Sequence, residues 1–413
     1  MKLKKNTLEK KSTVLLIAAM LLCAAVCAVL FVYLEGYTKG DIRGHWRICR
    51  YTLEGLNPYL LIGQPAAIES VGAIPAAFST VPWSCVFGSV FYAGFLPLEA
   101  AYVYVFVMHF VAVAVLLLVI YNKYKAVLSK KQLAVLMLVP PVHFSFMYSL
   151  HFGNAGGIIC CMLMTAFLIG KKHPYIAGVL LGFAMMKPQI AAIICLVYLF
   201  ERRFKTLFTA AGIVIAGWLA TSLVISVNPV DLLKYTLESG TASSTQYLGL
   251  LNNLKYFGVN STLILLMNVA IGCVYTLGLY LYLKKRARVD SIFIFVPACI
   301  ASVFWIYKNG TDYMILAFAA AFFCLLCMRG RLTVADYLAS LFSIAWLQMS
   351  RCAVYLGVTV FDDNLFVRDI FKSADGLIIA IVGIYLCTLW VKYGGEEVII
   401  KLKERKEAKE VKK

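Results

Sequence analysis

The stretch from Asp41 to Tyr59, DIRGHWRICRYTLEGLNPY, concentrates polar side chains in an otherwise apolar chain. It closely follows an apolar run, 13–34, that is long enough to cross a bilayer. A carboxylate such as Asp41 can take a proton from an attacking hydroxyl, and basic side chains bind phosphate. The cations of this stretch are Arg43, His45, Arg47 and Arg50. Taken alone, Asp41 would more often be a solvated acid paired with Arg43; its basic and aromatic neighbours favour a functional site.

The composition requires a membrane environment. Of the 413 residues, 62% are hydrophobic and 15% are charged, and the mean hydropathy is +0.83. Such a chain cannot cover a water-facing surface with polar groups, and its long apolar runs indicate helices rather than barrel strands. The net charge of +18 comes from basic clusters between apolar runs, which excludes a nucleic-acid signature and predicts contact with membrane lipids. The cysteines lie mostly inside apolar runs and predict neither a metal site nor a cofactor.

The alternation of apolar runs with basic clusters predicts an all-α fold, a polytopic transmembrane helical bundle with about twelve membrane-embedded segments and both termini cytoplasmic. One catalytic domain covers 1–391, including a first outer loop at 35–99 with interfacial helices, and a charged cytoplasmic tail covers 392–413. The predicted spans are 13–34, 100–121, 132–150, 155–170, 206–226, 259–283, 291–306, 313–328, 333–350 and 374–391.

Three further segments depart from simple spans. Residues 43–56 have a helical apolar rhythm with basic residues between, which suits an interfacial helix. Residues 76–96 resemble a span, but the charge rule and the interrupting Pro and Gly residues favour an interfacial or re-entrant segment. Residues 174–200 have basic clusters at both ends and are too short for two full spans. We predict a hairpin of two short helices whose tip is Lys187-Pro188-Gln189, since proline ends the preceding helix.

Lys187 is the most informative charge inside an apolar run. An embedded lysine is costly and marks a pathway or a partner, although it can also extend to the membrane surface. The predicted hairpin raises Lys187 toward the outer face, where His151, Asn154, Lys308 and Asp312 are also expected. Cations beside an acid at this boundary suit a substrate with a phosphate in the head-group zone and a long apolar tail in the bilayer.

Three groups of residues carry a resemblance to a known family. The first is Asp41 followed by aromatics and Gly55-Leu56-Asn57-Pro58-Tyr59; the second is Gly153-Asn154 together with GVLLGFAMMKP, which ends at Lys187-Pro188; the third is Asp312-Tyr313 at the start of a late span. In this order the chain resembles the GT-C superfamily of membrane glycosyltransferases, and within it the bacterial polyprenol-phosphate-mannose-dependent alpha-mannosyltransferases.

The resemblance implies an enzyme of the outer face of the cell membrane that needs no cofactor or metal. It would move a sugar, a mannose-like hexose, with inversion from a polyprenyl-phosphate carrier to an acceptor glycan or glycolipid. Carried over by position, Asp41 is the general base, Lys187 faces the carrier phosphate, and Asn154, Asp312 and Tyr59 belong to the substrate site. From charge and predicted side alone, Arg43, His45, His151 and Lys308 join that site.

Two other function classes share these features. A flippase for lipid-linked glycans would also use basic residues and interrupted helices, but such transporters often have matching halves, and no counterpart of 174–200 is evident in the second half. A glycan polymerase or ligase acting on lipid pyrophosphates would rely on outer arginines, for which Arg351 and Arg368 are candidates.

Overall fold

The apolar runs fold into helices because a backbone in lipid must satisfy its own hydrogen bonds. The computed structural model describes residues 40–59, 81–126, 128–235, 249–286, 292–306, 310–328, 332–360 and 364–393. Within these ranges the regular structure is helical, without a strand. The all-α prediction is therefore confirmed for the described part of the chain. The predicted span 13–34 and Lys308 lie outside it.

The α-helices of the described ranges are numbered in chain order. They are α1 (Gly40–Leu53), α2 (Trp83–Phe87), α3 (Ser89–Tyr92), α4 (Leu98–Tyr124), α5 (Lys130–Leu138), α6 (Phe144–Phe152), α7 (Gly156–Ile169), α8 (Pro174–Ala184), α9 (Pro188–Phe200), α10 (Phe204–Val224), α11 (Ser261–Arg286), α12 (Val296–Ala301), α13 (Leu316–Met328), α14 (Val334–Val360) and α15 (Leu365–Lys392). Short 3-10 helices cover Asn252–Phe257, Ile292–Phe295 and Gly310–Ile315.

Five of the described helices are long and apolar enough to cross a membrane: α4, α10, α11, the continuous segment Gly310–Met328, and Asp369–Lys392 within α15. They support a membrane protein, while the number of about twelve embedded segments stays a prediction. Segment Gly310–Met328 lies at the centre of the bundle, since 94% of its most apolar stretch is buried. The other four contribute more of their surface to the outside.

Several predicted spans are shorter or interrupted in the structure. The run 132–150 is split into α5 and α6 at Pro140-Pro141, as proline dictates. In the described part of 291–306 a 3-10 turn leads into the short helix α12, which ends where the Ser302 hydroxyl donates to the Cys299 carbonyl at 2.8 Å and competes with helix continuation. In the described part of 76–96 the chain forms the short helices α2 and α3 rather than one long helix.

The hairpin around Lys187 is visible in the helix packing. Helix α8 ends at Ala184 and α9 begins at Pro188. The chain then returns to the start of α8, where the Thr206 hydroxyl of α10 donates to the Pro174 carbonyl at 3.1 Å. The start of α8 and the start of α10 therefore lie together, and Lys187 lies at the turn between the outgoing and the returning helix.

Two glycines fix α8 against α10. A Cβ atom on Gly178 would lie 2.5 Å from the Thr209 Cβ, and one on Gly182 would lie 2.6 Å from the Ile213 Cβ. Both distances are too short for any side chain, so the two backbones approach as closely as in small-xxx-small helix pairs. This contact holds the arm of the hairpin that leads to Lys187.

Candidate functional site

Polar side chains from four separate segments meet where those segments begin, turn or end. Asp41 lies at the start of α1, Asn154 at the junction of α6 and α7, Lys187 at the hairpin turn, and Thr311 with Asp312 in the 3-10 turn before α13. All but Asp41 are buried, with Asn154, Thr311 and Asp312 at 1% exposure or less. Buried polar groups in such a bundle are costly unless they bond to one another.

Asn154 holds the Asp41 carboxylate. The Asn154 Nδ2 donates to the Asp41 Oδ2 at 2.8 Å, and the Asn154 Oδ1 accepts from the Gly156 backbone N–H at 2.9 Å. Gly153 permits this turn, since its φ is +60° and a Cβ there would lie 2.8 Å from the Ile42 Cβ. Asp41 itself is only partly buried. The result is an oriented carboxylate that is still partly exposed.

Lys187 and Asp312 form a buried ion pair. Their side chains are 10% and 1% exposed, and the Lys187 Nζ lies 2.8 Å from the Asp312 Oδ1. Lys187 also donates to the Thr311 Oγ1 at 3.1 Å. Helix α8 does not continue through Pro188, because proline disrupts a helix interior. Lys187 is therefore the N-cap residue of α9, and Pro188 is the first residue of that helix. The ammonium is thus fixed by two partners on one 3-10 turn.

Thr311 links the two halves of the site. Its Oγ1 lies 3.2 Å from the Asn154 Oδ1, which joins the Asp41–Asn154 pair to the Lys187–Asp312 pair. The close approach requires a glycine opposite, because a Cβ on Gly156 would lie 2.5 Å from the Thr311 Oγ1. Asp41 and Lys187, far apart along the chain, are therefore connected by a continuous chain of hydrogen bonds.

A cavity opens beside this chain of bonds. It measures about 320 Å³ including its open mouth, and its lining includes His45, Tyr92, Met186 and Lys187. The His45 ring stacks on the Tyr92 ring at 4.5 Å, and the Tyr92 hydroxyl accepts from the Ala155 N–H at 3.1 Å. Burial, assisted by the charge of Lys187, lowers the pKa of His45 to about 3. His45 therefore faces the cavity as a neutral imidazole near pH 7.

The remaining residues predicted for the site are placed differently. Arg43 is exposed on α1. The Tyr59 hydroxyl lies 3.7 Å from the Cys85 Sγ, in a small cluster with Tyr51 and with Ile48, which also lines the cavity. His151, in the last turn of α6, packs edge-on against the Phe152 ring. The structure therefore brings Asp41, His45, Asn154, Lys187 and Asp312 into one region.

Three residues of this region were not predicted from the sequence. They are Tyr92, His109 and Thr311. His109 is fully buried in α4, and its ring nitrogens lie 3.0 Å from the Asn154 carbonyl and 2.8 Å from the Val105 carbonyl. An ionisable residue inside the apolar run 100–121 is a signal that could have identified it. Tyr92 and Thr311 carry no comparable signal in the sequence, and only the fold shows their hydrogen bonds in this region.

The site, as far as it is described, contains carboxylate, amide, hydroxyl and ammonium groups. Across the described residues, no group of three or more His, Cys, Asp or Glu side chains is placed to hold a metal ion. The chemistry available to this chain's own residues is proton transfer at Asp41 and anion binding at Lys187.

Comparison with known proteins identifies the family of this chain. Residues 74–329, more than half of the chain, match the sequence profile of glycosyltransferase family 87. The matched range contains Asn154, Lys187, Thr311 and Asp312, whereas Asp41 precedes it. No curated protein and no solved structure matches the chain.

Proposed function

Because this chain belongs to glycosyltransferase family 87, we propose that it transfers a mannose-like hexose from a polyprenyl-phosphate carrier to an acceptor glycan or glycolipid. The reaction takes place at the outer face of the cell membrane, with both termini cytoplasmic, and inverts the anomeric centre. The observation that carries the proposal is the hydrogen-bonded chain Asp41–Asn154–Thr311–Lys187 beside an open cavity. In the proposed reaction, Asp41 of this chain of hydrogen bonds is the base and Lys187 is the cation.

Asp41 is the general base of the proposed reaction. The acceptor hydroxyl oxygen attacks the anomeric carbon on the face opposite the phosphate, and its proton passes to the Asp41 carboxylate. The bond between the anomeric carbon and the phosphate oxygen breaks, and its electron pair leaves with the polyprenyl phosphate. Asn154 keeps the carboxylate oriented through the 2.8 Å hydrogen bond, which limits the motion that proton transfer would otherwise require.

Lys187 stabilises the departing phosphate. Thr311 and Asp312 receive two of its three ammonium N–H groups within the described structure. The third remains for a phosphate oxygen in the cavity that Lys187 lines. A positive charge held in a water-poor site stabilises the negative charge that develops on the leaving group, and it does so without reorganising during the reaction. The apolar tail of the donor stays among membrane lipids.

The Asp41→Asn variant tests the assignment of the base. The introduced amide can still accept a hydrogen bond from Asn154 but cannot take a proton. We expect the purified full-length variant to bind a synthetic polyprenyl phosphate like wild type, and its sugar transfer to fall by a factor of about 10² to 10⁴. Asp231→Asn is the matched control, because Asp231 is half exposed and pairs with Lys234 on the surface. Full transfer by Asp41→Asn would remove Asp41 as the base.

A further inference from the structure

The Thr311 hydroxyl has a choice between two hydrogen-bond acceptors. Its side chain is fully buried. Its Oγ1 lies 3.1 Å from the Lys187 Nζ, 3.2 Å from the Asn154 Oδ1 and 3.2 Å from the Asp312 Oδ1. A lysine ammonium only donates, so Thr311 accepts from Lys187. The hydroxyl carries a single proton, and two acceptors at equal distance compete for it.

The position of the Lys187 charge decides this competition. With Lys187 at 2.8 Å from Asp312, the carboxylate charge is compensated, and the Thr311 proton is available to Asn154. A phosphate that accepts the third Lys187 N–H would share the ammonium charge with Asp312. The less compensated carboxylate is then the stronger acceptor, because hydrogen bonds to charged groups are the strong ones. The Thr311 hydroxyl then rotates and donates its hydrogen bond to Asp312 instead of Asn154.

The change at Asn154 reaches Asp41. When Thr311 turns away, the Asn154 Oδ1 keeps the Gly156 N–H but loses the hydroxyl. Hydrogen bonds in a chain polarise one another, so the Asn154 amide then donates less strongly to Asp41. A carboxylate that is less stabilised by hydrogen bonds accepts a proton more readily. The base becomes stronger when the cation has been engaged.

We propose that Thr311 is a positioning residue that couples occupation of the phosphate position at Lys187 to the readiness of Asp41 to take a proton. This inference rests on the proposed function, since it assumes that a carrier phosphate binds at Lys187. It gives Thr311 a role beyond packing: the enzyme strengthens its base only with a donor in place.

A double-mutant cycle on binding tests the first half of the coupling. The ligand is a synthetic polyprenyl phosphate, titrated against the full-length protein in lipid nanodiscs. We expect Thr311→Val to weaken binding about tenfold, because it removes a hydrogen bond to a charged group, and Thr311→Ser to stay within about threefold of wild type because it keeps the hydroxyl. In a Lys187→Met background, Thr311→Val changes binding by less than about twofold, as the ammonium that it positions is absent.

The kinetics of sugar transfer test the second half of the coupling, from Thr311 to Asp41. Thr311→Val is expected to raise the donor KM but to leave kcat within about threefold of wild type, because the Asn154 Oδ1 has already lost the hydroxyl in the donor-bound enzyme; damage to folding alone would lower the active fraction and leave the donor KM unchanged. In wild type the acid limb of the pH profile should lie at higher pH for kcat, which reports the donor-bound enzyme, than for kcat/KM, which reports the free enzyme, and Thr311→Val should bring the two limbs together. Two limbs that stay apart in Thr311→Val as they do in wild type would overturn this half of the coupling. Thr276→Val is the control, because Thr276 is also fully buried and its hydroxyl has no hydrogen-bond partner within the described part of the chain.

The outcomes separate this inference from the proposed function. Wild-type binding by Thr311→Val, or an equal loss in the Lys187→Met background, overturns the coupling even where Asp41→Asn has lost transfer. An equal loss in Thr276→Val overturns it too, as a general packing effect. A wild-type protein that binds the carrier phosphate at Lys187 but never transfers sugar defeats the proposed function, and the binding cycle still decides whether Thr311 acts through Lys187.

Discussion

Substitutions in the Lys187–Asp312 pair should change the stability of the bundle and its sugar transfer in different ways. The Nζ–Oδ1 distance is 2.8 Å and the side chains are 10% and 1% exposed. At an effective dielectric constant of about 20, the attraction between the two charges is about 6 kcal/mol. Most of it offsets the cost of taking both ions out of water. Removing one partner leaves the other charge buried without its counter-ion in this pair, which costs about 3 to 5 kcal/mol of the free energy of unfolding.

The single and double variants therefore behave differently. We expect Lys187→Met to lose about 3 to 5 kcal/mol, and Lys187→Met/Asp312→Leu to recover most of it, because apolar replacement of a buried pair is often neutral or stabilising. Sugar transfer stays absent in both, since each lacks the cation. The measurement is unfolding in mixed micelles of mild detergent and dodecyl sulfate. Lys234→Met, which breaks a pair whose side chains are 66% and 50% exposed, is the control and should change little.

A double variant as unstable as Lys187→Met would refute this reasoning, because neither charge of the pair would remain to explain the loss. Recovery of transfer in the stable double variant would refute the role of Lys187 in catalysis. The two results are independent, so stability and activity are each tested by the same pair of proteins.

Three further predictions follow from close packing and from burial. Gly156→Ala places a Cβ 2.5 Å from the Thr311 Oγ1, and should lower transfer at least tenfold in a kinetic assay, roughly the worth of one hydrogen bond to a charged group. Gly182→Leu should lower the melting temperature through its clash with α10, whereas Gly212→Leu, where nothing lies within 4 Å, should not. Folding lowers the pKa of His45 from 6.5 to about 3. As the pH falls through this range, His45 is therefore protonated in the unfolded chain before it is protonated in the folded one, which lowers the free energy of unfolding. Melting temperatures measured from pH 6.5 toward 3 should fall more for wild type than for His45→Gln.

Local chemistry made part of this fold predictable. The helical class follows from long apolar runs, and the break at Lys187 follows from Pro188, which lacks a backbone N–H and restricts the residue before it. The split at Pro140-Pro141 has the same cause. Asp41 and Lys187 could be selected because polar residues beside or within apolar runs are costly without a role. Each of these inferences uses residues that are neighbours in the sequence.

The partners of these residues could not be predicted, because they come from distant segments. Nothing in the sequence near Lys187 indicates Asp312 as its counter-ion, 125 positions away, or Thr311 as the link to Asn154. Tyr92 lies in a segment read only for its position relative to the membrane. Arg43 and His45 were selected alike for their charge and predicted side, but the structure places His45 at the cavity and leaves Arg43 exposed on α1. The direction of a side chain on a helix depends on tertiary packing, which charge alone does not indicate.

The central claim is that Asp41 and Lys187 flank one phosphate-linked sugar. The most direct measurement is a structure of the full-length protein with a non-hydrolysable polyprenyl-phosphate-sugar analogue. We expect a phosphate oxygen within hydrogen-bond distance of the Lys187 Nζ, and the anomeric carbon between that phosphate and the Asp41 carboxylate. A phosphate bound elsewhere, with the Lys187–Asp312 pair unchanged and Asp41 facing no sugar, would contradict the account.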